Sequence, residues 1–216
     1  MGKSAIDTHA DVLAGLTIDK LRKIAKAKQY QIFDKGQYNL NIWGVRCDTE
    51  NTKEFNDLML VFYKEPISGA ATKWVIKAFS ITTDPSDLNL INPINSKGCA
   101  ILKEGQYISA FKLGLHKGDY KALVQNTPLP LYRDFDKNDK LNISGKYNYE
   151  MAGINIHRAS KWKISRMIGL YSAGCQVFES VRDYEDQFMP LVEQAAFLYG
   201  KLFSYTLINI EDLKHV

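Results

Sequence analysis

Apolar residues follow two different periods along this chain. Ile18, Leu21, Ile24 and Ala25 recur three and four positions apart, which predicts a short helix over residues 17–28 with one narrow apolar face. Thr17 stands where a helix N-cap belongs. From Tyr38 onward the period falls to two. Trp43, Val45 and Cys47 share one face of a predicted strand, which makes Cys47 a small core residue. Residues 57–64 are apolar on both faces, with Leu58, Leu60 and Phe62 against Met59, Val61 and Tyr63. Residues 73–83 are rich in Trp, Val, Ile and Phe, and with the preceding runs they predict a meander.

Turn chemistry punctuates the middle of the chain at Thr83-Asp84-Pro85 and Asn92-Pro93-Ile94-Asn95. Further strands are predicted from Gly105 toward Leu115, over residues 120–125 and over residues 129–135. The polar stretch 136–149 is predicted as a surface loop. Residues 183–199 carry Phe188, Leu191, Val192, Ala195 and Leu198 at helical spacing, with acidic residues in the first turn and Gly200 to end it. Residues 202–210 alternate again as a last strand. The pattern defines an α+β, β-rich single domain: a basic helical arm over residues 1–35 and a β-rich body over residues 36–216, with one helix in its C-terminal region.

Composition fits that picture. With 216 residues, 45% hydrophobic and 24% charged, the chain can bury a core without staples. Residues 17–35 hold six basic and two acidic side chains, and the rest of the chain is balanced. The basic helix face is either a solvated surface or an arm for an anionic partner. No nucleic-acid partner is expected, because no basic footprint covers the body. No transmembrane segment is expected either. Asp7, His9 and Asp11 interrupt the place where a secretory signal would be apolar, so synthesis in a cytoplasm is expected. Cys47, Cys99 and Cys175 have no metal-site spacing and read as free thiols in a reducing compartment; no metal and no cofactor is expected.

The candidate chemistry lies in one stretch. Gly153-Ile154-Asn155-Ile156-His157 reads as a strand in which the isoleucines face the core and His157 faces the other way. Fourteen residues separate it from Ser172-Ala173-Gly174-Cys175, a small-residue turn followed by the apolar Val177-Phe178. A thiol set after such a turn can be exposed while its neighbours are anchored, turn amides can form an oxyanion hole, and a nearby imidazole can take the thiol proton. The bland alternatives are a hydrogen-bonded structural His and a buried structural thiol, the second being the preferred reading of Cys99. His116, in Leu115-His116-Lys117-Gly118, is either a surface turn residue or a substrate contact.

The spacing from His157 to Ser172-Ala173-Gly174-Cys175 resembles the signature of the L,D-transpeptidase (YkuD-type) catalytic domain. More loosely, Thr83-Asp84-Pro85 and residues 98–107 resemble what precedes that signature. The whole chain is also similar to proteins encoded by bacteriophages. The L,D-transpeptidase resemblance implies a β-rich mixed sheet or sandwich acting on bacterial peptidoglycan. Cys175 would be the nucleophile and His157 the general base, with Ser172 and Gly174 shaping the turn and helping to hold the imidazole or the oxyanion. Transfer of the acyl group to an amine would cross-link; transfer to water would hydrolyse. The sequence departs from the family pattern at Ala173, Arg158 and Val177, where His, Gly and Arg or Asn are usual. Arg158 and Gln176 are therefore assigned alternative substrate-binding work, Arg158 by gripping a stem-peptide carboxylate. With no signal peptide in view, an endolysin-like enzyme released to the cell wall at lysis, or a virion-associated protein, is expected over a resident cross-linking enzyme. The rival expectation is a non-catalytic virion structural or assembly protein that keeps the fold, with self-association as its activity.

Overall fold

The two-residue period that begins near Tyr38 builds a β surface that closes on itself. A computed structural model describes residues 3–68 and 71–215. Its strands are β1 (Asn41–Arg46), β2 (Asp57–Pro66), β3 (Thr72–Thr82), β4 (Cys99–Leu102), β5 (Gly105–His116), β6 (Tyr120–Gln125), β7 (Leu129–Asp134), β8 (Asn148–Glu150), β9 (Ile156–Arg158), β10 (Gln176–Phe178) and β11 (Leu202–Asn209). Eight of them form a closed barrel in the order β1-β11-β5-β6-β9-β10-β3-β2, and β4-β7-β8 form a separate three-stranded sheet. The sheet is mixed, as expected: β1 with β11 and β9 with β10 are parallel, the other neighbours antiparallel. It is neither open nor a sandwich. The three-residue strands β9 and β10 bridge β6 to β3 and close the barrel.

Both faces of β2 are buried, and each face has a different partner. Met59, Val61 and Tyr63 join a cluster with Ile42, Phe79, Phe111, Ile156, Phe178 and Tyr205 from the other barrel strands. Leu58, Leu60 and Phe62 turn outward, where they pack with Trp43 and Val45 against the N-terminal helices. These helices are α1 (Ala5–Thr8), α2 (Ala10–Ala14) and α3 (Ile18–Lys28). Thr17 caps α3 by accepting from the Lys20 amide, and Leu21, Ile24 and Ala25 form its buried stripe. The expected arm is thus seated on the barrel. Arg22 lies over the Trp74 ring, and Lys28 pairs with Asp212 at 2.9 Å, so part of its basic face is used within the chain.

Two short helices, α4 (Asp87–Ile91) and α6 (Ile210–Lys214), decorate the barrel. The expected C-terminal helix has two parts, a π-helical turn over Asp183–Phe188 and α5 (Met189–Tyr199). The widened turn places Tyr184 and Phe188 against Phe178 of β10, at ring separations of 5.2 and 4.8 Å. Much of the expected loop 136–149 is irregular, but its end pairs with β7 as β8. No helix among the described residues is long and apolar enough to cross a membrane.

Candidate active site

Strand alternation puts the candidate pair on one face. In β9, Ile156 enters the barrel cluster, which leaves Asn155 and His157 on the opposite side. β10 runs parallel to it, with Gln176 beside Ile156 and Val177 beside His157. Gln176 follows Ile156 inward. Cys175, one residue earlier, shares the outer face with Asn155 and His157.

The turn carrying Cys175 is fixed by backbone requirements. Gly174 has φ of 122°, and a Cβ there would collide with the Ala100 carbonyl oxygen, so only glycine fits. Ser172 is fully buried. Its Oγ lies 2.8 Å from the Asp84 carbonyl and 2.9 Å from the Cys175 carbonyl, and it accepts from the Gly174 amide at 3.2 Å. Ser172 therefore shapes the turn and touches neither imidazole nor thiol. The Thr83-Asp84-Pro85 turn lies beneath it. There a buried network joins Arg46 to Asp84 at 2.8 Å, and Asp57 accepts from the amides of Cys47 and Thr83 and from the Thr83 hydroxyl. Burial, with Asp84 close by, pushes Asp57 up to about 7.

Cys175 is half-buried. Its Sγ donates to the Gly153 carbonyl at 3.4 Å and accepts from the Asn155 amide at 3.5 Å. Burial pushes its thiol up, so it rests as the neutral thiol. Cys47 and Cys99 are also pushed up by burial, Cys99 to about 11, and donate to the carbonyls of Val45 and Asn89. Cys99 is a buried structural thiol, as read from the sequence.

His157 is buried, and desolvation with the neighbouring His116 pushes it down to about 3, so it is neutral. Its Nδ1 sits 2.8 Å from the Arg158 carbonyl oxygen. A carbonyl only accepts, which fixes the proton on Nδ1 and leaves Nε2 with a bare lone pair. That Nε2 has no hydrogen-bond partner among the described residues. Cys175 and His157 thus share a face, two register positions apart on adjacent strands, with no hydrogen bond between them among the described residues.

His116, read from the sequence as either a surface turn residue or a substrate contact, is buried. At the end of β5 its ring stacks on His157, with centroids 4.0 Å apart and planes inclined by 23°. Asn155 and Tyr120 complete the group and were not singled out from the sequence. Asn155 accepts the Gln125 amide on Oδ1 and reaches His116 Nδ1 with Nδ2 at 3.2 Å. The Tyr120 hydroxyl lies 3.2 Å from both His157 Nδ1 and the Arg158 carbonyl. The alternation that selected His157 also selects Asn155, so that signal was present; Tyr120 has no local signal.

Arg158 and Gln176, expected with His116 to bind substrate, are placed otherwise. Arg158 is buried, bonds Glu185 at 2.6 Å and stacks over the Tyr120 ring at 3.9 Å, so its guanidinium already has a carboxylate. Gln176 is fully buried, accepts from the Tyr205 hydroxyl at 2.6 Å and donates to the Thr83 and Gly174 carbonyls, which leaves no polar atom for a substrate. A groove of about 190 Å³ opens beside the turn, lined in part by Asn95, Cys99, Arg133, Ala152 and Ala173. Among the described residues, no group of three or more His, Cys, Asp or Glu side chains is arranged to hold a metal ion. Comparisons with protein families, with curated proteins and with solved structures found no match.

Proposed function

We propose that this chain is a cysteine-dependent acyl-transfer enzyme acting on bacterial peptidoglycan, with Cys175 as nucleophile and His157 as general base. The observation that carries the reading is the bare, buried Nε2 of His157, held in the base tautomer on the same face as a half-buried thiol. The resemblance of the His157 to Cys175 spacing to the L,D-transpeptidase signature supplies the substrate class.

The resting site is a neutral pair, so the thiolate forms as substrate engages. Rotation about the Cys175 Cα–Cβ bond turns Sγ from the Gly153 carbonyl toward His157. The proton moves from Sγ to Nε2 as sulfur attacks the stem-peptide carbonyl. The C–N bond then breaks, and the imidazolium, a strong acid in this buried setting, gives its proton to the leaving amine. Water attacks the thioester with His157 again as base, releasing a carboxylate and regenerating the thiol. An amine in place of water would form a cross-link. We favour hydrolysis, in a protein that a bacteriophage releases to the cell wall at lysis or carries in its virion.

A second reading is a virion structural protein that keeps the fold. It is favoured by the absence of a Cys175–His157 hydrogen bond among the described residues and by the raised thiol. The rate of Cys175 alkylation against pH separates the two, with Cys47 and Cys99 as internal controls and peptide release from purified peptidoglycan as the activity. The enzyme reading expects Cys175 to react fastest, His157→Ala to slow it at least ten-fold, and Cys175→Ser to abolish peptide release. A Cys175 as inert as Cys99, with no peptide released, would establish the structural reading.

A further inference from the structure

We propose that His116 is a positioning residue for His157: the two stacked rings hold the base tautomer between them and accept one proton as a pair. The inference rests on the catalytic reading of His157 and assigns a proton-handling device to that site.

Hydrogen-bond directions fix both tautomers. The Gln125 amide can only donate, so the Asn155 atom that receives it, at 3.0 Å, is the carbonyl oxygen. The other end of Asn155 is then the NH2 group, which donates to His116 Nδ1 at 3.2 Å. His116 Nδ1 is an acceptor, and its proton sits on Nε2. His157 is the complement: its Nδ1–H donates to the Arg158 carbonyl and its Nε2 is bare. Asn155 also donates its backbone amide to Cys175 Sγ, so one residue ties the thiol to the ring stacked on the base.

The stack has two consequences. With centroids 4.0 Å apart, His116 covers one face of His157 and blocks the ring flip that would exchange Nδ1 and Nε2. It also makes double protonation unfavourable, because two imidazolium rings at that distance repel. The other charges around the pair do not offset this. Lys117 and Asp119 flank His116 on the β5–β6 hairpin and oppose each other in sign. Arg158 adds positive charge from β9, partnered by Glu185 of the π-helical turn. Tyr120, Tyr184 and Cys175 are neutral, their ionisation pushed up by burial. The rings therefore titrate in two separated steps that belong to the pair. The first proton taken up by either ring disfavours the second, so the pair holds one proton at a time.

Long-range 1H–15N NMR of the intact wild-type chain tests the tautomers without any variant. Support is a proton on Nδ1 of His157 and on Nε2 of His116 at pH 7; the opposite assignment on either ring overturns the proposal. Two variants then test coupling. His116→Phe keeps a stacked ring but removes its proton, and should move the His157 titration to higher pH in a single step. His116→Ala removes the stack, and should slow Cys175 alkylation at pH 7 about ten-fold, with recovery in the Phe variant. If neither variant changes the His157 titration or the alkylation profile while His157→Ala still slows alkylation, the pairing is wrong and the catalytic reading stands. If His157→Ala is also without effect, both fall.

Discussion

The hydroxyl of Ser172 reaches the carbonyl oxygen of Cys175, three residues on, at 2.9 Å while lying 2.8 Å from the carbonyl of Asp84. One buried hydroxyl thus joins the two ends of the thiol turn and seats them on the Thr83-Asp84-Pro85 turn. Replacing Ser172 by Ala strands the Gly174 amide and removes the single hydroxyl donor that the Asp84 and Cys175 carbonyls share. Leaving buried polar groups unsatisfied costs about 1–3 kcal/mol. Denaturant unfolding of Ser172→Ala should show a loss in that range, and Cys175 alkylation should lose its distinction from Cys99. Full stability with unchanged Cys175 reactivity would remove Ser172 from the architecture of the turn.

Gly174 is constrained more severely. Its φ of 122° lies where side chains are strained, and the Ala100 carbonyl occupies the space of any Cβ. Backbone strain of this kind costs about 1–3 kcal/mol, and the collision adds to it. Gly174→Ala is expected to lower the unfolding midpoint by more than Ser172→Ala. Gly153→Ala, at φ of 76° but with open space around its Cβ position, should cost less than Gly174→Ala. Equal losses at the two glycines would show that the collision is relieved by movement of β4.

The N-terminal helices yield a prediction opposite to that of a free arm. Leu21, Ile24 and Ala25 are buried against the outer face of β1 and β2. Leu21→Ala should therefore destabilise the whole chain by about 2–5 kcal/mol, the usual cost of truncating a buried leucine. Deleting residues 1–35 would uncover Trp43, Val45, Leu58, Leu60 and Phe62, and should give a chain that binds a hydrophobic dye and aggregates. A deletion variant that unfolds at the wild-type midpoint would show the helices to be an appendage.

These expectations also mark where the sequence was legible. Period-two alternation located the strands of the meander and put His157 opposite the isoleucines, and the Thr17 cap placed the start of α3. Alternation carried one step further would have turned Gln176 inward, since it neighbours an outward Cys175. Barrel closure was not legible, because β9 and β10 are three residues each and closure is a property of distant pairings. The stacking of His116 on His157 joins residues 41 positions apart through a hairpin whose local sequence says only turn. The Arg46, Asp57 and Asp84 network was hidden for the same reason: each residue is an ordinary charge in its own strand or turn.

That network and the site histidine drive stability with pH in opposite directions. Burial beside Asp84 raises Asp57 in the fold, while in the unfolded chain it loses its proton near 4. Between the unfolded and the raised folded value the folded state binds the extra proton, so its contribution is fully present below about pH 4 and is lost as pH rises through the folded value. His157 does the reverse. Its folded value is about 3 against 6.5 unfolded, so the unfolded state binds the extra proton between them, and stability rises with pH across that range. The two slopes oppose each other from about pH 4 to 6.5, so the unfolding free energy of the wild type should depend on pH there less steeply than that of either variant. Each variant should expose the other group. His157→Gln should leave a protein whose stability falls from pH 4 to 7, and Asp57→Asn one whose stability rises from pH 4 to 6.5. Denaturant unfolding of the three proteins at half-unit intervals decides this. Parallel curves would mean that neither group titrates differently in the fold, and that the neutral His157 on which the proposed base chemistry depends is not neutral because of its burial.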